Sequence, residues 1–322
     1  MNPLAPRLLL SAAVLLVCTL AGPLSPASAA TTTTVTTAAE LTAALAQARA
    51  GDTITLRDGQ YVGSFTGAAA GTAAAPITLT GSPRAVLSTG SVRRDYGLHI
   101  TGSYWKLTGF SVSVAKKGIM LDNSDGTVID GVDVGSIGQE AIHVRTSSSG
   151  VTVRNSRVHD TGLRSASYGE GIYVGSASSN WYSIMGSSNT PDRSDGVLIE
   201  NNTVFNTTAE GIDIKEGTTG GRILGNTFTN SGWSGRNSAD SFVDVKGNGY
   251  LVSGNTGSGT LLDAFQVHSV LTGWGGSNEF SANTVVSGVP GYEVRIASKT
   301  PGNIVRCDSS AAALGLTNVT CS

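Results

Sequence analysis

Three short stretches of this 322-residue chain are dense in ionisable side chains: "GEGIYV" at 169–174, "AEGIDIKEG" at 209–217 and "SFVDVKG" at 241–247. They supply the carboxylates Glu170, Glu210, Asp213 and Asp244 and the amines Lys215 and Lys246. "EAIHVR" at 140–145 adds His143 and Arg145, and "AFQVHS" at 264–269 adds His268. Glu170, Glu210 and Asp213 make a donor set for a hard cation, since Ca²⁺ takes about six to eight oxygens and accepts carboxylates readily. A lysine whose pKa is lowered by a nearby cation, or by Arg145, can take a proton from carbon. His143, His268 and Arg145 can bind a carboxylate or protonate a leaving oxygen. Asp213 and Asp244 offer a different chemistry: two carboxylates on neighbouring strands stand about 5 Å apart, near the separation used in retaining glycoside hydrolysis.

These stretches belong to one repeat. A pattern of small, apolar, any, apolar recurs as "GLHI", "GIML", "AIHV", "GIYV", "GIDI", "FVDV" and "AFQV". Its first inward residues are Leu98, Ile119, Ile142, Ile172, Ile212, Val243 and Phe265, spaced by 21, 23, 30, 40, 31 and 22 residues. A second series runs between them, with Asn202, Asn226, Asn255 and Asn283 at matching places. Each unit therefore reads as strand, turn, strand, Asn corner and a third short strand. Crossover helices, which a βαβ fold requires, are absent. The sequence predicts an all-β chain, a right-handed parallel β-helix in which coils stack about 4.8 Å apart. The Asn series is expected to form a ladder of side-chain amides along one corner.

Stacking turns the repeat into a map of the outer face. One outward column reads His99, Met120, His143, Tyr173, Asp213, Asp244, Gln266, and the next includes Arg145, Lys215, Lys246 and His268. A third, two residues before each inner apolar, holds Glu140, Glu170 and Glu210. The three longest coils carry extra residues at 159–170, 176–195 and 231–241, beside this face. Insertions of that length usually serve function. They are expected to wall a groove over Asp213 and Asp244, with Trp181, Tyr182, Trp233 and Tyr173 as faces on which sugar rings stack.

The ends of the chain have other jobs. "RLLLSAAVLLVCTLAG" behind Arg7, followed by "PASAA", reads as a secretory signal over 1–30, leaving one domain over 31–322. "TTTTVTT" is expected to be an unstructured polar run. "TAAELTAALAQARAGDTI" reads as an N-terminal capping helix: Thr37 and Glu40 suit a capping box, Leu41, Leu45 and Ala48 share a face, and Gly51 can end it. Cys18 leaves with the signal, so Cys307 and Cys321 are expected to pair in an oxidising compartment. Without the signal, 20 basic and 23 acidic residues remain, a formal charge of −3. That balance gives no basic field for nucleic acid. The expected product is a secreted, extracellular monomer that does not stay on a membrane.

The whole mature chain resembles the pectate-lyase-like right-handed parallel β-helix superfamily. "AAELTAALAQARAGDTITLRDGQYVG" followed by "GTAAAPITLTG" is similar to the start of many of its secreted polysaccharide lyases. The middle most resembles polysaccharide lyase family 9, in which acids before and within successive strands hold Ca²⁺ and a lysine further on takes the C5 proton. The matching positions are Glu170, Glu210 and Asp213; Ala209 stands where a further acid would be, and Asp244 at the lysine's place, with Lys246 two residues on. The resemblance implies Ca²⁺-assisted β-elimination of an acidic, uronic-acid polysaccharide, with Lys246 or Lys215 as base. Hydrolysis or C5-epimerisation through Asp213 and Asp244 stays open at this point. So does a non-catalytic glycan-binding solenoid.

Overall fold

The computed structural model describes residues 29–297 and 300–322. The signal sequence expected over 1–30 falls almost entirely outside them. The described residues form three long parallel sheets, one of 11 strands and two of 9, that run the length of the molecule. Successive strands of each sheet come from successive coils. The first sheet runs from Thr32–Val35 to Ile304–Val305, the second from Gly59–Val62 to Thr284–Ser287, and the third from Phe65–Gly67 to Val294–Ile296.

The apolar pattern sets the register. Leu98, Ile119, Ile142, Ile172, Ile212, Val243 and Phe265 pair in order along the third sheet, and all are fully buried. A slip by one residue would turn this ladder outward and the charged column inward, so the core fixes which side chains reach the surface. Extended strands of three residues suffice because each is covered above and below by the next coil.

The Asn corner forms as expected. Asn202 Nδ2 donates to Asn226 Oδ1 (2.9 Å), Asn226 to Asn255 (2.9 Å) and Asn255 to Asn283 (3.0 Å), all buried. Each acceptor oxygen also takes a backbone N–H from the coil before it. The corner thus satisfies backbone donors that leave the sheets.

The N-terminal helix, Ala38–Gln47, closes one end with Leu41 and Leu45 buried against the first coils. Thr37 Oγ1 accepts from Glu40 N (3.2 Å) and Glu40 Oε2 from Thr37 N (3.1 Å), the reciprocal box anticipated. The helix stops at Gln47, ahead of Gly51, which instead takes φ +89° in the turn that follows. The threonine run is not unstructured: Thr32–Val35 pairs in parallel with Thr53–Leu56, and the burial of Val35 anchors it. At the far end, Cys307 and Cys321 are joined, and Leu316 packs on the last core residues. No helix among the described residues is long and apolar enough to cross a membrane.

Candidate active site

Each glutamate of the leading column sits at the corner where the chain dives into the third sheet. After Glu170 and Glu210 the next residue is glycine for a steric reason, whereas Ala141 follows Glu140. A Cβ on Gly171 would meet the Gly211 carbonyl oxygen at 2.5 Å, and one on Gly211 would meet the Phe228 ring at 2.7 Å. The backbone therefore lies tight on the core while Glu170 and Glu210 stay beside the outer face. The strand Ile212–Ile214 then presents Asp213 on that face, in register with Tyr173 on one side and Asp244 on the other.

Oxygens of Glu170, Glu210 and Asp213 lie within 4.8 Å of one another, and all three residues are buried. Asp213 is clasped by two ammonium groups: Lys215 Nζ at 2.6 Å from Oδ2 and Lys246 Nζ at 2.8 Å from Oδ1. Lys246 also lies 2.6 Å from Asp244 Oδ2, and His268 Nδ1 lies 2.9 Å from Asp244 Oδ1. Two lysines thus match two aspartates. Glu140 is matched by Lys117 and lies 3.0 Å from His143 Nδ1. Glu170 and Glu210 have no ion-pair or side-chain hydrogen-bond partner among the described residues.

The electrostatics follow from this pairing. Burial pushes Glu170 up to about 8, helped by the charges of Glu140 and Asp213. Burial and then Asp213 push Glu210 well above the carboxylate range. Burial opposes the charge on Lys215 and Lys246, but Asp213, joined for Lys246 by Asp244, holds both above the usual lysine range. Burial would also raise Asp244, yet Lys246 and His268 hold it far below the carboxylate range. The Tyr173 phenol is raised by burial, then by Asp213 and Glu170.

A cavity of about 500 Å³, of the size that takes small ligands, opens over part of this constellation. Glu140, Glu170, Tyr173, Glu210, Asp213 and Lys215 form its floor, and His143 and Arg145 reach its edge. The 176–195 insertion forms one wall through Asn180 and Ile184; Tyr168 and Arg236 come from the other two insertions. Those two loops touch where Asn237 Nδ2 donates to the Ser167 carbonyl (3.2 Å).

Several expectations need correction. Lys246, Asp244 and His268 do not line the cavity; they form a row beyond Asp213 in which Asp244 and Lys246 are buried and His268 is half-buried. Asp213 and Asp244 are neighbours as predicted, but Lys246 bridges them and Asp244 is fully buried. His143 is committed on both sides, Nε2–H donating to the Gly175 carbonyl (2.9 Å) and Nδ1 facing Glu140. Arg145 grips Asp122 through Nε (2.6 Å) and Nη2 (3.1 Å). Trp181 is not a sugar platform: it is 3 % exposed, and its indole N–H donates to the Ser176 carbonyl (2.9 Å), pinning the insertion. Tyr182 is 72 % exposed and Trp233 is 47 % exposed, and neither faces this cavity. Tyr173 is on the floor, with Lys215 Nζ 5.0 Å from its ring centroid and the His143 ring edge-on at 4.3 Å.

Other residues went unread. Lys117 occupies the glutamate column one coil earlier, two residues before Ile119, and the repeat itself places it there. Asp192 carried no local signal. It is buried and holds the long insertion by accepting from Thr146 N, Ser147 N and the Ser176 and Ser194 hydroxyls.

A profile of the Pel9A-like, right-handed β-helix region matches residues 24–259. The chain belongs to the Pel9A-like right-handed β-helix family. Among solved structures, an alginate lyase from Paenibacillus sp. str. FPU-7 is 37 % identical, with a TM-score of 0.83 over 90 % of this chain and 98 % of that one. The pectate lyase Pel9A is 16 % identical, with a TM-score of 0.61 over 86 % of this chain and 72 % of that one, a likeness of fold. No curated protein sequence matches the chain. Within the Pel9A-like family, this chain has the three-sheet helix and a floor of buried acids in one coil-aligned patch.

Proposed function

We propose that this polysaccharide lyase is exported and cleaves a uronic-acid polysaccharide, alginate first among them, by Ca²⁺-assisted β-elimination. One observation carries the reading: Glu170 and Glu210 are buried, have no ion-pair partner among the described residues, and stand beside a lysine-bound Asp213 on a cavity floor. Two uncompensated carboxylates in a low-dielectric site are costly unless protonated or matched by positive charge. A divalent cation matches them in charge, and all three residues offer hard oxygen ligands. Glu170, Glu210 and Asp213 would hold it. When bound, it supplies positive charge against the C6 carboxylate of the sugar and so makes the C5 proton more acidic.

The protein's own groups supply the rest. Two lysines line the cavity, Lys117 and Lys215. Lys117 is paired with Glu140, whereas Lys215 stands beside Asp213 and Tyr173, so Lys215 is placed to take the C5 proton. Its ammonium is held by Asp213 in the free enzyme, and it becomes a base only when the negative charge of Asp213 is engaged elsewhere. The electron pair left at C5 forms the C4–C5 double bond as the C4–O4 bond breaks. Tyr173, kept protonated by burial, is placed to give its proton to O4. Lys246 lies between Asp213 and Asp244 and positions both. The 37 % identity to an alginate lyase over nearly all of that chain supports alginate as the polymer. The sequence at 1–30 and the Cys307–Cys321 bridge support export.

Incubation with alginate, polygalacturonate and a neutral glycan tests the proposal. Absorbance of an unsaturated uronide is expected to grow on alginate, to vanish with chelator and to return with added Ca²⁺. Reducing ends without that absorbance, or equal activity on the neutral glycan, would contradict it.

A further inference from the structure

Trp233 is left unused by the catalytic cavity. It stands on the insertion 231–241, 47 % exposed, over a separate surface depression of about 410 Å³ lined with Asn206, Thr207, Thr208 and Asn230. The indole lies against the coil backbone, its Cζ2 3.5 Å from where a Cβ on Gly259 would stand, an ordinary van der Waals distance. Asn206 and Asn230 both take left-handed φ, 54° and 52°, at equivalent points of successive coils. Asn206 is held by Asp160 Oδ1 through Nδ2 (2.9 Å), and Asn230 Nδ2 lies 3.5 Å from Asn206 Oδ1. Each amide nitrogen keeps a second hydrogen for a ligand. An exposed aromatic face beside fixed amides suits a pyranose ring, with its apolar C–H face on the indole and its hydroxyls on the amides.

We propose that this depression is a second glycan-binding site, occupied by a stretch of the substrate polymer beyond the rings in the catalytic cavity. The insertion that carries Trp233 also carries Arg236 and Asn237, which line that cavity. Asn237 joins this insertion to Ser167 of the neighbouring one, so the two sites lie on either side of a single bridged corner. A polymer leaving the cavity across the corner meets Trp233 within the same loop. The inference rests on the enzyme's acting on a polysaccharide, not on the metal or the choice of base.

The test compares Trp233→Ala and Trp233→Phe with the unmodified protein, first on long alginate and then on short oligosaccharides that fill only the cavity. Trp233→Ala is expected to raise KM for long polymer about fivefold to tenfold, to leave short-substrate kcat/KM unchanged, and to be partly rescued by Trp233→Phe. Retardation in gels containing alginate, pectate or a neutral glycan reads binding without turnover. Retardation by one polymer that is lost in Trp233→Ala supports the site even if alginate is not cleaved. Equal KM on long alginate, or equal retardation of protein and variant in every gel, overturns it.

Discussion

Lys215→Ala is expected to lower kcat by about 10²- to 10⁴-fold, the usual contribution of a positioned general base, with little change in KM. Lys215 reaches the cavity, and its amine is bound to the same aspartate that serves the cation. Lys246→Ala should behave differently. It removes the bridge between Asp213 and Asp244 and leaves two buried carboxylates short of one cation. Its loss is therefore expected in folding stability as well as in activity, since an unpaired buried charge costs about 3–5 kcal/mol. Steady-state kinetics with thermal melts separates the two variants. A fully active Lys215→Ala enzyme would move the base elsewhere. The pH profile gives an independent sign: Asp213 holds Lys215 protonated, so kcat/KM should climb as pH rises toward the lysine range.

The second large effect concerns stability against pH in the absence of metal. Glu170 has a folded pKa raised to about 8 from an ordinary 4.5. Between those values the folded state keeps a proton that the unfolded chain has lost, so stability must fall as pH rises through that window. Glu140 acts in the opposite sense: burial alone would raise it, but His143 and Lys117 hold it down to about 2. Its contribution is present above about 4.5 and disappears as pH falls toward 2. Chelated protein is thus expected to be most stable on the mildly acidic side. Ca²⁺ at about a hundred times its Kd adds roughly 2.7 kcal/mol, or about 4–5 °C in Tm for a chain of this size. The gain should be larger at pH 8 than at pH 5, because protonated carboxylates must release their protons to bind. Melting curves at both pH values check this. A Ca²⁺ shift equal at both, or none at either, would count against Glu170, Glu210 and Asp213 as the cation's ligands. Glu170→Gln should flatten the decline between pH 5 and 8.

The coil map could be read from sequence because β-helix register is set by a single ladder of apolar residues. Ile172, Ile212 and Val243 pair as their spacing implied, and this brought Tyr173, Asp213 and Asp244 into one column without further information. The Asn corner was legible for the same reason, since a buried amide at one fixed place per coil has few other uses. What could not be read was the direction and cover of side chains outside the ladder. Lys215 and Lys246 are equivalent by alternation, and only the walls contributed by the long insertions decide that one faces the cavity. Trp181 looked like a surface aromatic because it lies in a polar loop. It is buried because Gly217 leaves it room, Cζ2 lying 3.1 Å from where a Cβ would be, and the Ser176 carbonyl satisfies its N–H. Asp192 draws its four donors from positions as far as 46 residues away, a long-range arrangement with no local pattern.

Elimination and hydrolysis by this patch of buried acids and lysines leave products of different mass. Mass spectrometry of oligosaccharides released from alginate separates the two most directly. Elimination gives fragments whose new non-reducing ends are one water lighter than hydrolysis products, expected from the unmodified enzyme and lost in Asp213→Asn. Fragments of full hydrated mass, or unshortened polymer with only its C5 configuration changed, would contradict it.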